Sequence, residues 1–141
     1  MCPKTAPQVA NQPLVQKFQS RTAKVGIIGM GYVGLPLALL FSGEQFPVTG
    51  FDVDARKVRA LTAGTSYIVR IESDQIQAAR NSGFQATADY SHISEMDAII
   101  ICVPTPLNDY REPDLSFITA TAESIARFKE LEINARFVQQ A

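Results

Sequence analysis

The sequence predicts an α/β fold built on a parallel β-sheet, and three observations carry this prediction. An apolar run at residues 24–29 passes directly into a glycine-rich turn, Gly29-Met30-Gly31-Tyr32-Val33-Gly34. A helical apolar pattern follows the turn up to about Ser42. Further apolar runs then alternate with helical patterns along the chain, which indicates right-handed crossovers between parallel strands and a doubly wound sheet.

The remaining elements are predicted from local signals in the same order. The short apolar or β-branched runs predict strands at residues 24–29, 47–52, 84–87 and 97–103. The helical patterns after the first helix predict further helices at residues 55–63, 74–81 and 115–128. Asp54 and Asp114 are the expected N-caps of two of these helices, because their carboxylates accept backbone N–H groups of the first turn.

The glycine-rich turn has the spacing of a dinucleotide site. Gly29 allows the tight turn, Gly31 has no Cβ to block a pyrophosphate, and Gly34 lets the helix pack closely on its strand. The following strand ends at Asp52, where a carboxylate accepts hydrogen bonds from ribose hydroxyls. The alternative is an ordinary strand-to-helix turn with an unrelated acid. The matching context on both sides favours a dinucleotide site in a Rossmann-like fold.

The residues beside Asp52 bear on the choice of cofactor. Arg56 and Lys57 lie in the first turns of the next helix, either as a solvated face or as cations beside the adenosine. The Asp52 carboxylate would repel the 2′-phosphate of NADP, so we expect NAD. Thr105 follows the fourth strand at the same edge of the sheet, where it either reaches the cofactor or serves only as a turn residue between two prolines.

Composition restricts the class of protein. The chain has 141 residues with 46% hydrophobic residues, enough for one domain with a core. Its formal net charge of −1 gives no electrostatic reason to expect a nucleic-acid partner. Cys2 and Cys102 lack metal-ligand spacing, and we expect a buried, reduced thiol at Cys102. No metal site, membrane span or signal peptide is expected, which makes a cytoplasmic location the default.

The predicted domain organisation has three parts. Residues 1–23 are expected to form a flexible tail, although Leu14, Val15 and Phe18 offer one amphipathic turn as an alternative. Residues 24–130 form a partial Rossmann domain with strand order 3-2-1-4, truncated after its first half. Residues 131–141 are a divergent end with no domain of their own.

Several strings together resemble the UDP-glucose/GDP-mannose dehydrogenase family. The resemblance covers residues 24–127, and it is closer to the branch that oxidises UDP-N-acetyl-hexosamines, such as UDP-N-acetylglucosamine 6-dehydrogenases. The strings that carry it are Gly29-Met30-Gly31-Tyr32-Val33-Gly34-Leu35-Pro36-Leu37-Ala38, Gly50-Phe51-Asp52-Val53-Asp54 with Lys57, Ser66-Tyr67-Ile68, Ile101-Cys102-Val103-Pro104-Thr105-Pro106-Leu107 and Arg111-Glu112-Pro113-Asp114-Leu115-Ser116-Phe117.

The resemblance implies specific roles. Asp52 and Lys57 match the adenosine-ribose contacts of the family, Tyr32 and Val33 match its pyrophosphate-facing backbone, and Thr105 matches its cofactor-contacting threonine. Family members oxidise the C6 alcohol of a UDP-sugar to a carboxylate with two NAD⁺. The sequence departs from the family pattern after Arg127, so the nucleophilic cysteine and the UDP-sugar site are expected to be absent and no catalytic residue is assigned.

Three interpretations of function remain open from the sequence. The chain is an NAD-binding part of a nucleotide-sugar dehydrogenase, a free-standing NAD-binding or partner-binding module, or a non-functional remnant. A chain that stops after the fourth strand would leave residues 97–103 as an isoleucine-rich edge. We therefore expect self-association through this strand, or its coverage by residues 131–138 folded back as a substitute strand.

Overall fold

The structure is a computed structural model that describes residues 13–128 in full and residues 12, 136 and 137 as backbone only. Asp54 is the N-cap of its helix as predicted, since its carboxylate accepts the Arg56 N–H at 2.9 Å. The carboxylate of Asp114 accepts the Ser116 N–H at 2.9 Å, but the helix begins at Ser116, so Asp114 lies one residue before the observed cap position. The elements are α1 (Gln12–Gln19), β1 (Val25–Ile28), α2 (Gly34–Gly43), β2 (Val48–Phe51), α3 (Ala55–Thr62), α4 (Ser73–Asn81), β3 (Gln85–Thr87), a 3₁₀ helix (Tyr90–Glu95), β4 (Ala98–Ile101), α5 (Ser116–Phe128) and β5 (Arg136–Phe137).

The sheet is parallel throughout and has the order β3-β2-β1-β4-β5. This confirms the α/β, Rossmann-like prediction and the order of the first four strands. One further short strand lies beyond β4, where the backbone of Arg136 and Phe137 pairs with Ile100 and Ile101. This short strand lies within the segment that was expected as a substitute strand. Self-association through the β4 edge stays a prediction.

Buried side chains form one hydrophobic cluster on each face of the sheet. Consecutive residues of β1 show the division, since Ile27 belongs to one cluster and Ile28 to the other. Helices α2 and α4 cover the Ile27 face, whereas α5 and the 3₁₀ helix cover the Ile28 face through Ile125 and Ile93. The fold is therefore doubly wound, and the carboxyl ends of β1, β2 and β4 meet at one edge of the sheet.

The predicted flexible tail is wrong for residues 12–23. This segment contains helix α1, whose Phe18 ring lies 6.0 Å from the Phe46 ring. Lys17 Nζ lies 3.0 Å from Asp97 Oδ1, and Arg21 Nη1 lies 2.8 Å from Glu44 Oε2. The sequence alone shows few apolar groups here, and their partners become neighbours only in the folded chain. Residues 1–11 of the predicted tail lie outside the described residues.

The 3₁₀ helix lies between β3 and β4, in a segment for which no helix or strand was predicted. It begins after Asp89, whose carboxylate accepts the Ser91 N–H at 3.0 Å, and its buried Ile93 belongs to the cluster under α5. His92 is exposed in this helix, with Nδ1 3.0 Å from Glu95 Oε2. One buried isoleucine in a polar segment is too weak a pattern to predict such a helix.

The position of α2 depends on the absence of a side chain at Gly34. A Cβ atom at this residue would lie 1.6 Å from the Gly29 carbonyl oxygen, which is backbone and has no rotamer by which to move away. Gly29 has a φ of 100°, which glycine adopts without strain. Helix α2 can therefore start directly against the end of β1.

We predict that Gly34→Ala lowers the free energy of unfolding by about 3 kcal/mol or more, since overpacking against backbone is at the costly end of such changes. Gly43→Ala is the matched control. A Cβ at Gly43 meets nothing within 4 Å, so it is expected to be neutral or slightly stabilising. Urea unfolding of both variants gives the measurement, and equal midpoints would contradict the prediction.

Candidate functional site

The carboxyl edge of the sheet opens into a cavity of about 590 Å³. Its size lies within the range of small-molecule and cofactor sites, roughly 300–1,000 Å³. The glycine-rich turn, the end of β2, the start of α3, the residues after β4 and one side of α5 all contribute to its wall. The lining residues are Gly29, Gly31, Tyr32, Asp52, Val53, Asp54, Lys57, Tyr67, Ile68, Tyr90, Cys102, Val103, Pro104, Phe117, Ala120, Thr121 and Ser124.

Five of the nine predicted site residues line this cavity: Gly29, Gly31, Tyr32, Asp52 and Lys57. Three others belong to the glycine-rich turn but do not line the cavity. Met30 is fully buried, Val33 packs against the hydrophobic core, and Gly34 lies against Gly29. Thr105 is the exception, because the wall after β4 consists of Cys102, Val103 and Pro104 and does not include it.

The glycine-rich turn offers open space and backbone donors. A Cβ at Gly31 would meet no atom within 4 Å, so the turn is accessible from the cavity. The turn leads into α2, and the first N–H groups of a helix have no partner within it. Together with the positive end of the helix dipole, they favour an anion at this position. The geometry fits a phosphate group.

Asp52 connects the turn to the end of β2. Its side chain is 9% exposed, and its two oxygens accept the N–H groups of Met30 and Asp54, each at 2.8 Å. A carboxylate has about four acceptor positions. The two backbone donors therefore leave acceptor capacity on the cavity side for hydroxyl donors such as those of a ribose.

The two cations near Asp52 lie in different surroundings. Lys57 Nζ lies 3.8 Å from Asp52 Oδ2 and lines the cavity. Arg56 is 84% exposed and binds Asp54 instead, with Nη2 3.1 Å from Asp54 Oδ2. Hydrogen bonds from the Arg56 side chain and backbone lower the pKa of the Asp54 carboxyl. The two open alternatives therefore apply to different residues. Arg56 lies on the solvated face of α3, whereas Lys57 lies in the cavity wall.

Sequence reasoning did not include two tyrosines that line the cavity. Tyr67 donates its hydroxyl hydrogen bond to the Met30 carbonyl of the glycine-rich turn. Tyr90 packs edge-on against Phe51, with ring centroids 5.7 Å apart. Burial, and then the charge of Asp52, raises the pKa of Tyr90 to about 12. The string Ser66-Tyr67-Ile68 was a signal for Tyr67, whereas the position of Tyr90 depends on the 3₁₀ helix.

Another part of the cavity wall is formed by α5 and the residues after β4. Phe117, Ala120, Thr121 and Ser124 follow one another at helical spacing along this side of α5. The Cys102 thiol is buried and lines the same wall, and burial raises its pKa. This thiol is therefore protonated at neutral pH. Its environment agrees with the reduced, packed cysteine expected from the sequence.

The arrangement meets the requirements of a dinucleotide half-site. Open backbone at Gly31 suits a pyrophosphate, and the Asp52 carboxylate with Lys57 suits ribose hydroxyls.

Among residues 13–128 no group of three or more histidine, cysteine, aspartate or glutamate side chains is placed to hold a metal ion. In the same part of the chain no helix is long and apolar enough to cross a membrane.

We predict that Asp52→Ala lowers the free energy of unfolding by about 1–3 kcal/mol, because the buried Met30 N–H loses its acceptor. Asp109→Ala removes a carboxylate from an exposed loop and is expected to change stability by less than about 0.5 kcal/mol. Urea unfolding in the absence of ligand is the measurement. A wild-type midpoint for Asp52→Ala would show that this carboxylate does not hold the turn.

Comparison with known proteins identifies the domain to which this geometry belongs. The UDP-glucose/GDP-mannose dehydrogenase family, NAD binding domain, matches residues 23–134. A UDP-N-acetyl-D-glucosamine 6-dehydrogenase of Salmonella typhi is 38% identical over 102 residues, which are 72% of this chain and 23% of that protein. The cofactor of the matched domain is NAD, as predicted.

Solved structures of related dehydrogenases superpose on the chain. An NDP-N-acetyl-D-galactosaminuronic acid dehydrogenase from Methanosarcina mazei gives a TM-score of 0.76 at 27% identity, over 92% of this chain and 30% of that one. A GDP-mannose dehydrogenase from Pseudomonas aeruginosa also gives 0.76, at 25% identity, over 83% of this chain and 28% of that one.

The chain spans about a quarter of the length of the curated relatives that it matches. The family match over residues 23–134 includes the glycine-rich turn, the first four strands of the sheet and the residues that line the cavity. The chain belongs to the UDP-glucose/GDP-mannose dehydrogenase family and corresponds to its NAD binding domain.

Proposed function

We propose that the cavity holds the adenosine and pyrophosphate part of NAD. The backbone of residues 31–33 faces the pyrophosphate, and Asp52 with Lys57 binds the adenosine ribose. Gly29, Met30 and Gly34 shape the turn, and Thr105 contributes from the rim. The observation that carries the proposal is the side-chain-free space at Gly31 in the same cavity as the Asp52 carboxylate.

The wider activity is proposed from the relatives. We propose that the chain is the NAD-binding part of a cytoplasmic nucleotide-sugar 6-dehydrogenase, which converts a UDP-N-acetyl-hexosamine to its uronate for polysaccharide biosynthesis. Support comes from the 38% identity to the Salmonella typhi UDP-N-acetyl-D-glucosamine 6-dehydrogenase. We assign the cavity residues to the cofactor and none of them to the UDP-sugar.

Gly31→Ala tests the cofactor site without disturbing the fold. Its new methyl group meets open space in the ligand-free protein, so stability is expected to stay within about 0.5 kcal/mol of wild type. The same methyl group occupies the space proposed for the pyrophosphate. We expect affinity for NAD and for ADP to fall about tenfold or more, measured by calorimetric or NMR titration.

Gly43→Ala serves as the matched control, because it adds the same methyl group at the far end of α2. It is expected to bind NAD as the wild type does. NAD is also expected to bind more tightly than NADP, whose 2′-phosphate meets the Asp52 carboxylate. Unchanged NAD affinity in Gly31→Ala, with the wild type binding, would place the pyrophosphate elsewhere.

We further propose that the isolated chain self-associates at the β4 side of the sheet. In the described residues β5 pairs with only Ile100 and Ile101, whereas β4 begins at Ala98. A partly paired edge of apolar residues favours addition of another strand. Light scattering at increasing concentration is expected to show species larger than a monomer. A monodisperse monomer at high concentration would contradict the proposal.

A further inference from the structure

Tyr67 lies on the loop between α3 and α4, and its side chain reaches the glycine-rich turn 37 residues earlier in the chain. Its hydroxyl donates to the carbonyl oxygen of Met30. The Met30 N–H donates in turn to the Asp52 carboxylate at 2.8 Å. Both backbone groups of Met30 are therefore hydrogen-bonded: its N–H to Asp52, directly after β2, and its carbonyl to Tyr67 on the loop.

The loop that carries Tyr67 is itself well anchored. The Ser66 N–H donates to Ser73 Oγ at 3.0 Å, and the Ser66 hydroxyl donates to the Ile68 carbonyl at 2.9 Å. Ile68 and Ile71 are both 8% exposed and pack into the core. A donor on a loop held in this way is already in place before any ligand arrives, which lowers the entropy cost of ordering the site.

The bond at the Met30 carbonyl has a direct consequence for Gly31. The Met30 carbonyl and the Gly31 N–H belong to one planar peptide unit, so fixing the direction of the oxygen fixes the direction of the N–H. A hydrogen bond accepted by the carbonyl oxygen also polarises the peptide unit, which makes its N–H a stronger donor. Of the three glycines of the turn, Gly31 is the one at which a Cβ would meet open space.

We propose that Tyr67 is a positioning residue that fixes the pyrophosphate-binding turn through the Met30–Gly31 peptide, an inference that rests on the proposed NAD function. The hydroxyl is committed to the turn, so its effect on the ligand passes through the backbone. Burial, together with the charges of Asp52 and Asp54, raises the pKa of Tyr67. The phenol therefore remains a donor over the neutral pH range.

Tyr67→Phe removes only the hydroxyl and tests the inference by comparing ligand fragments. We expect affinity for ADP and NAD to fall roughly three- to tenfold, the effect of one neutral hydrogen bond. Affinity for adenosine, which has no phosphate, is expected to change less than about twofold. Tyr110→Phe is the matched control, since Tyr110 is 85% exposed and does not line the cavity.

A second measurement needs no ligand. Amide hydrogen exchange of Gly31 and Tyr32 is expected to be faster in Tyr67→Phe than in wild type or in Tyr110→Phe, because the turn loses one anchor. Unchanged exchange, or an equal loss of affinity for adenosine and ADP, would overturn the inference. A wild type that binds neither NAD nor ADP would overturn the proposed function, and the exchange measurement would still decide whether Tyr67 holds the turn.

Discussion

The hydrogen bond from the Met30 N–H to the Asp52 carboxylate is the interaction on which the rest of the site depends. It ties the glycine-rich turn after β1 to the end of the neighbouring strand β2. Because Asp52 is almost fully buried, the loss of this bond would leave a backbone donor without its acceptor inside the protein. The same carboxylate faces the cavity, so one side chain both holds the turn and contributes to the proposed ribose site.

Two further contacts complete this arrangement. At Gly34 the start of α2 lies against the Gly29 carbonyl, which brings the open end of the helix to the cavity. At Met30 the hydroxyl of Tyr67 adds a hydrogen bond from a loop that is distant in sequence. The phosphate-facing turn is thus held by a strand, a helix and a loop. This explains how a short turn in which three of six residues are glycine keeps a defined shape.

The fold and the part of the candidate site around the glycine-rich turn and Asp52 were predictable because their signals are local. The parallel strands show as apolar runs, the turn shows as three spaced glycines, and Asp52 ends the strand that follows. The predicted strands were longer than the observed ones: β4 was expected at residues 97–103 and spans Ala98–Ile101. Where a strand ends depends on its hydrogen bonds to the neighbouring strands, and the sequence of one strand alone does not predict these bonds.

The sequence by itself determined the glycine-rich turn and the position of Asp52 at the end of the second strand, because spacing carries that information. It also determined the order of the first four strands, because the alternation of strands and helices predicts a doubly wound fold, which has that order. Only the tertiary structure decided the docking of α1 through Phe18, the pairing of β5 with β4, and the contacts of Tyr67 and Tyr90 with the site. Each of these is an interaction between segments far apart in the chain. Such contacts form only when the sheet has brought the segments together, and no local pattern specifies them.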